Sequence, residues 1–125
     1  MIRTESTDSR YATRVHSASH VLEADAPIAK GGGGEGFGAH ELLEASLAAC
    51  LNMAVRMCAD ANSIPLRAVA TTVSLIRPDE HVVRFEYSVE LTGDLTAEQR
   101  VTLQAAALSC PVRQTLTKSL EFRSV

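Results

Sequence analysis

The sequence predicts an α+β fold with the element order ββ-α-ββ-α-β, in which antiparallel sheets wrap around two central helices. One observation is a helical pattern that runs from His40 to about Asn62, and another is a pair of alternating runs, residues 69–75 and 83–91. A third is Thr96-Ala97-Glu98-Gln99, which is typical of a helix start. With 125 residues the chain is long enough for one core, so residues 1–125 are expected to form a single domain.

Composition and charge argue against several classes of function. The formal net charge is −3 and the basic residues are scattered, whereas a general nucleic-acid or membrane-surface binder needs a basic face. Residues 1–10 have no apolar run, so neither a signal peptide nor an anchor is expected. The most apolar window, residues 42–59, is interrupted by Glu44, Asn52 and Arg56, which argues against a membrane span. We therefore expect a cytoplasmic protein, in which cysteines are more often buried, catalytic or metal-bound than cross-linked.

Two short strands are expected near the N-terminus, Arg10 to Val15 and His20 to Asp25, with a turn at residues 16–19. Residues 30–38 then contain six glycines. This segment lacks the Gly-Lys-Ser/Thr ending of a phosphate-binding loop, so we interpret it as a mobile loop that leads into the long helix.

The long helix is expected to be apolar on most of its surface. One stripe recurs at steps of three and four residues and consists of Leu43, Leu47, Cys50, Ala54, Met57 and Ala61. Further apolar residues flank this stripe, and Asn62, Ser63 and Pro65 end the helix. Since so wide an apolar surface needs cover on several sides, a second copy of the protein is expected to cover it.

A hairpin and a second helix follow. The residues between 83 and 91 alternate apolar and polar, so the hairpin is expected to have one face in water. The second helix begins after Thr96 and runs to about Cys110, where Pro111 either kinks it or starts a short new helix. A final strand is expected from the apolar residues at the C-terminus, Leu120, Phe122 and Val125.

Cys50 and Cys110 are the candidate reactive residues. Cys50 lies in the middle of the long helix without a charged residue one turn away, so on its own it is typical of a packing residue. Cys110 precedes Pro111 at a helix end, with Arg113 close in sequence. If the two helices pack together, the sulfurs could approach within bonding reach, and in a reducing compartment such a pair is transient and catalytic. Cys58 is expected to be a packing residue.

Several motifs occur together in this order. Residues 41–50 combine a Glu-Leu-Leu start with small residues that lead to Cys50, residues 93–96 read Gly-Asp-Leu-Thr, and residues 110–116 read Cys-Pro-Val-Arg-Gln-Thr-Leu. Together they resemble the OsmC/Ohr family, whose second-cysteine motif is Cys-Pro-Val-His-x-Thr-Leu. Residues 20–27 and the glycines after them are similar to one OsmC-like subgroup, so the resemblance covers most of the chain from about Arg14 onward.

The resemblance implies an OsmC-like fold and an intertwined homodimer with swapped strands and two active sites at the subunit interface. It also implies the reduction of organic hydroperoxides or hydrogen peroxide. Cys50 would attack the peroxide and become a sulfenic acid, and Cys110 would resolve that acid as a disulfide. A low-molecular-weight or lipoyl dithiol would restore both thiols. No metal or organic cofactor is implied, because the sulfurs carry the oxidation.

The resemblance also implies that an arginine from the N-terminal strands stabilises the Cys50 thiolate. Arg10 and Arg14 are the candidates, and Arg14 is favoured because it lies nearer the matching segment, although either could be a solvated strand residue. In the best-studied branch a glutamate ten residues before the cysteine holds this arginine, whereas His40 stands there in this chain. Glu41 either takes that role or only favours the helix N-terminus.

Two other functions are considered. The missing glutamate at position 40 favours a non-catalytic OsmC-like dimer that binds a small apolar ligand, whereas the presence of both cysteines opposes it. A metal site made of His16, His20, His40 and a cysteine is disfavoured, because these residues lack metal-ligand spacing.

Overall fold

The structure, a computed structural model, describes every residue from Met1 to Val125. Its contacts divide the chain into two compact units, Met1–Leu43 and Glu44–Val125, and each unit contains one antiparallel sheet. The long helix α1 (Ala39–Ala61) begins in the first unit and continues into the second. The predicted α+β class is confirmed, and the expectation of a single domain stays a prediction.

The first unit has a three-stranded sheet in the order β1-β2-β3, formed by Arg3–Ser6, Thr13–His16 and Val21–Ala24. The sequence predicted two strands here and missed β1, because Arg-Thr-Glu-Ser is polar throughout and all four residues are exposed. The prediction that a strand starts at Arg10 is wrong, since Arg10 lies in the turn that joins β1 to β2. β1 is identified only by the pairing of its backbone with that of β2.

The glycine-rich loop is organised around the buried carboxylate of Asp25. This carboxylate accepts hydrogen bonds from the backbone N–H groups of Ala26 at 2.7 Å, Gly33 at 3.0 Å and Glu35 at 3.4 Å. Gly36 allows a close approach of two chain segments, because a Cβ atom there would lie 2.6 Å from the carbonyl oxygen of Glu23. As predicted, the loop leads into the long helix.

The second unit is built on the predicted hairpin, which is confirmed. Strands β4 (Leu66–Ile76) and β5 (Arg84–Gly93) pair in an antiparallel register that runs from Ile76 opposite Arg84 to Leu66 opposite Gly93, with an irregularity between Leu66 and Ala68. One face packs on the core through partly buried residues, and the other face is exposed at Arg84, Glu86, Ser88 and Glu90.

Helix α1 turns a different stripe towards the core from the one predicted. Its buried residues repeat every four positions and are Leu47, Leu51, Val55 and Ala59. Leu43, Met57 and Ala61 of the predicted apolar stripe are exposed in the single chain, and the expectation that a second copy covers them stays a prediction.

The stripe of α1 that faces the core differs from the predicted one because polar side chains of α1 form hydrogen bonds with the main chain of β4. Asn52 donates to the carbonyl of Val69 at 2.9 Å, and Arg56 donates to that of Leu66 at 2.7 Å. Glu44 accepts from the N–H of Leu75 at 2.6 Å. Because these residues must reach the strand, the apolar residues beside them become the buried face.

Two shorter helices complete the second unit, α2 (Ala97–Leu108) and α3 (Pro111–Leu116). The predicted capping box is confirmed: Thr96 accepts from the N–H of Gln99, whose side chain accepts from the N–H of Thr96. Of the two alternatives for Pro111, the structure shows the new helix, with the proline at its first position.

The predicted final strand is wrong. Residues 117–125 form no regular element, and the apolar side chains that suggested a strand, Leu120, Phe122 and Val125, are exposed. Alternation alone does not make a strand, because the backbone also needs a neighbouring strand with free hydrogen-bonding groups.

Helix α1 is long and apolar enough, by length and composition alone, to cross a membrane. Core helices of globular proteins pass the same test, so the property does not distinguish the two cases. The hydrogen bonds of Glu44, Asn52 and Arg56 to β4 account for the polar residues of this helix as parts of a helix-on-sheet packing.

Candidate functional site

The structure brings Cys50 and Cys110 together in the second unit. Cys110 is 0% exposed and belongs to the hydrophobic core, against which the partly buried Cys50 packs. Burial raises the pKa of the Cys110 thiol, and the nearby thiol of Cys50 raises it further. Both cysteines are free thiols. The α1 and α3 helices therefore present two reduced sulfurs to each other.

Opposing effects act on the ionisation of Cys110. Burial raises the pKa of this thiol above its ordinary value of 9.0, and Cys50 raises it further. The backbone N–H groups of Arg113 and Val112 lower the pKa of Cys110, but the raising effects dominate. Cys110 therefore keeps its proton at a pH where an ordinary cysteine begins to lose it.

The break between α2 and α3 places Cys110. Its N–H donates to the carbonyl of Ala107 at 3.2 Å, and its carbonyl accepts from Gln114 at 3.1 Å, so Cys110 ends one helix and begins the next. Its side chain makes no aligned capping hydrogen bond, although the free N–H groups of the α3 start act on the sulfur. We had not predicted this role for the α3 backbone. The signal for it was Pro111, since proline is favoured at the first position of a helix.

Arg113 acts on Cys110 through its backbone. Its guanidinium donates to the carbonyl of Leu108 at 3.5 Å, at the end of α2. The cation that the sequence places close to Cys110 is thus engaged in joining α3 to α2.

Apolar side chains surround the two sulfurs. Leu51 and Leu103 are 0% exposed in the core that includes Cys110, and Val112 and Leu116 of α3 pack against the same core. A negative thiolate is costly in such surroundings, whereas two neutral thiols or a neutral disulfide are not. The two resting forms of a cysteine pair, two thiols or one disulfide, are therefore both compatible with these apolar surroundings.

Arg14 lies on β2 in the first unit. Its guanidinium is 3.7 Å from the carboxylate of Glu23 on β3, and both side chains are about half exposed. Arg10 lies over the ring of Tyr11, 5.7 Å from its centre. The role of Arg14 towards Cys50 stays a prediction.

Glu41 lies in the first turn of α1. Its carboxylate accepts a hydrogen bond from the N–H of Gly38 at 2.7 Å, which satisfies a backbone donor at the helix start. His40 beside it is exposed. The interaction matches the helix-start role considered for Glu41, and its role as the ligand of an arginine stays a prediction.

The remaining cysteine and histidines form no further centre. Cys58 is partly buried against the core, with the side-chain nitrogen of Asn62 3.6 Å from its sulfur. No group of three or more His, Cys, Asp or Glu side chains lies close enough to hold a metal ion.

Known proteins share this architecture. An organic hydroperoxide resistance protein, OsmC, from Legionella pneumophila is 24% identical, with a TM-score of 0.67 over 94% of this chain and 88% of that one. An OsmC-like protein from Mycoplasma pneumoniae is 18% identical, with a TM-score of 0.77 over 93% and 85%. The organic hydroperoxide resistance protein OhrB of Bacillus subtilis is 24% identical, with a TM-score of 0.59 over 94% and 89%. No curated protein matches the sequence.

The family comparison covers both cysteines. Residues 32–124 match the family model described as OsmC-like protein, from the glycine-rich loop to the end of the C-terminal segment. This range is well over half of the chain and contains all of α1, the hairpin and α3. The resemblance found in the motifs is thus confirmed, and the chain belongs to the family of OsmC-like proteins.

Proposed function

We propose that this protein is a thiol-dependent peroxidase that reduces organic hydroperoxides or hydrogen peroxide. The observation that carries the proposal is the pairing of Cys50 with Cys110 in an apolar core, with the proton held on Cys110. The hydroperoxide resistance proteins from L. pneumophila and B. subtilis share the fold and support the substrate class.

In the first step the Cys50 thiolate attacks one oxygen of the hydroperoxide, and the O–O bond breaks. Sulfur is oxidised to a sulfenic acid, while the other oxygen takes a proton and leaves as an alcohol, or as water from hydrogen peroxide. Cys110 stays a protonated thiol beside Cys50 during this step, because its pKa is raised by burial and by Cys50 itself. The apolar surroundings favour substrates with an apolar organic group.

In the second step Cys110 attacks the Cys50 sulfenic acid. An S–S bond forms, the S–O bond breaks, and the oxygen leaves as water after taking a proton. The N–H groups of Val112 and Arg113 favour the Cys110 thiolate at this stage. A small or lipoyl dithiol then exchanges with the disulfide, which restores both thiols and oxidises the dithiol to a disulfide. Every electron passes through sulfur, so no metal or organic cofactor is required.

Arg14 and Glu41 complete the proposal from the N-terminal side of the chain. Arg14 is assigned to stabilise the Cys50 thiolate, and Glu41 to assist it; the family resemblance supports these roles. The Arg14–Glu23 ion pair and the Glu41–Gly38 hydrogen bond are the contacts that each side chain makes here. Arg14→Gln is expected to lower the peroxidase rate, whereas Arg10→Gln is the matched control.

We further propose that the protein is an intertwined homodimer in the cytoplasm. Exposed apolar residues on α1 support a dimer, since Leu43, Met53 and Met57 are 45%, 57% and 66% exposed. The proposed catalytic cycle supports a reducing compartment, because a cysteine pair there is transient and catalytic rather than structural. Sedimentation velocity of the wild type and of Met53→Lys/Met57→Lys tests the dimer, because charges on a covered apolar face shift the equilibrium towards monomer.

The peroxidase proposal is tested by consumption of cumene hydroperoxide in the presence of a dithiol. Wild type and Cys58→Ser are expected to turn over, whereas Cys50→Ser is expected to be inactive. Mass spectrometry after one equivalent of peroxide is expected to show a link between the peptides of Cys50 and Cys110. Unchanged turnover in Cys50→Ser would exclude Cys50 as the reacting group.

The same assay separates the enzyme from the apolar-ligand alternative. A protein that only binds a ligand consumes no peroxide and retains both thiols after exposure. Overoxidation of Cys50 to sulfinic acid without a link to Cys110 would remove the resolving role of Cys110 but keep Cys50 as the reacting thiol.

A further inference from the structure

A cavity of about 550 Å³ that is open to solvent, with exposed charged residues in its lining, lies in the second unit among residues that the proposed peroxidase chemistry does not use. It contains neither cysteine and lies at the end of the hairpin from which the chain continues into α2. Its charged lining residues are Arg67, Asp94 and Arg100, and Pro65, Leu91, Thr92 and Gly93 form the rest.

The two arginines of this cavity make few contacts of their own. Neither Arg67 nor Arg100 has an ion-pair partner, in contrast to Arg3, Arg14 and Arg84 elsewhere in the chain. Arg100 uses one nitrogen in a hydrogen bond of 3.4 Å to the carbonyl of Leu91, and most of its donors stay free. Two guanidinium groups that share one cavity without a carboxylate partner leave several N–H donors available to a ligand.

The backbone around Arg67 is fixed. The strand register shifts between Leu66 and Ala68, so Arg67 lies at an irregularity, and such features redirect a side chain. Arg56 donates to the carbonyls of both Leu66 and Arg67, at 2.7 and 3.3 Å, which anchors this shift to α1. Gly93 lets the partner strand come close, since a Cβ atom there would lie 2.5 Å from the carbonyl oxygen of Pro65. The backbone position of Arg67 is therefore determined by the register shift and by contacts that involve Arg56 and Gly93.

We propose that this cavity binds a small molecule through an anionic oxygen group, either a phosphate or a carboxylate. Guanidinium groups bind both by paired, charge-assisted hydrogen bonds, and two of them match the two or more oxygens of such a group. Asp94 lines the same cavity, and its carboxylate opposes the anion. The site is thus selective for ligands that place the anionic group at the arginines and a neutral or cationic part near Asp94.

The test is an NMR titration of the full chain with inorganic phosphate and, separately, with acetate, each compared with chloride at equal ionic strength. Saturable shifts are expected for Arg67, Gly93, Asp94 and Arg100 with at least one of the two anions, and the stronger one identifies the group. Arg67→Gln and Arg100→Gln are expected to weaken binding roughly tenfold each. Arg77→Gln is the matched control, since it removes the same charge from the hairpin turn and is expected to change nothing.

Asp94→Asn is expected to change anion affinity in the opposite direction to the arginine variants. A folding defect would not produce this result, because it would weaken binding. Because the substitution removes a like charge from the cavity, it is expected to tighten anion binding by about fivefold. Weaker binding in this variant, equal losses in the Arg77 control, or shifts that follow ionic strength without saturating would each overturn the site. The outcome does not depend on peroxidase activity, because neither cysteine contributes to the cavity.

Discussion

Replacing Leu51 with alanine tests the burial of α1 most directly. Leu51 is 0% exposed and lies in the core with Leu103, while Met53, two residues along the same helix, is 57% exposed. Leu→Ala at a fully buried position costs about 3 to 5 kcal/mol, from lost transfer free energy and from the cavity left behind. A domain of this size has a free energy of unfolding of about 5 to 15 kcal/mol, so the loss is large.

The matched control is Met53→Ala, which is expected to cost no more than about 0.5 kcal/mol if that side chain stays in water. Urea unfolding, followed by circular dichroism at several protein concentrations, measures both variants. If a second subunit covers Met53, its cost rises and depends on concentration. A loss below about 1 kcal/mol for Leu51→Ala, with Met53→Ala equal to it, would refute the assignment of the buried face.

Three further outcomes are expected. Asp25→Ala removes the acceptor of three backbone N–H groups and should cost about 2 to 4 kcal/mol in urea unfolding, whereas Asp25→Asn, which keeps one acceptor oxygen, should cost less. The pKa of Cys110 is raised in the folded state, so the contribution of this thiol to the free energy of unfolding is complete below pH 9.0, its ordinary pKa, and is lost as the pH rises further. Above that pH the stability of the wild type should therefore fall more steeply than that of Cys110→Ala. Thr96→Ala removes the hydroxyl that caps α2 and should cost about 1 kcal/mol of stability in thermal unfolding. Thr96→Ser keeps a capping hydroxyl, so an equal loss in that variant would contradict the reasoning.

The elements that could be predicted are those whose cause is local. The alternation in β5 and the capping box at Thr96 each depend on residues a few positions apart, and both are present. The strand β1 could not be predicted, because Arg3–Ser6 pairs through its backbone and carries no apolar side chain. The final strand failed for the converse reason, since its apolar residues have no strand beside them.

The candidate site shows the same division. The sequence identified Cys50 and Cys110 as partners through their motifs, and the structure places them together. The buried stripe of α1 was rotated from the predicted one, because residues 17 to 31 positions apart form the hydrogen bonds of Asn52 and Glu44 to β4. The Glu41 contact matches one of the two roles that the sequence suggested, whereas the Arg14–Glu23 ion pair was not foreseeable because it depends on the pairing of β2 with β3.

The hydrogen bonds from α1 to β4 also determine at which edge of the hairpin a further strand can be added. Exposed strand edges attract further strands and promote aggregation unless they are blocked. Four backbone groups of β4 already form hydrogen bonds with Glu44, Asn52 and Arg56, so a strand added at this edge would have to displace these side chains. Extension of this sheet, whether by a partner molecule or by a misfolded neighbour, is therefore directed to the side of β5.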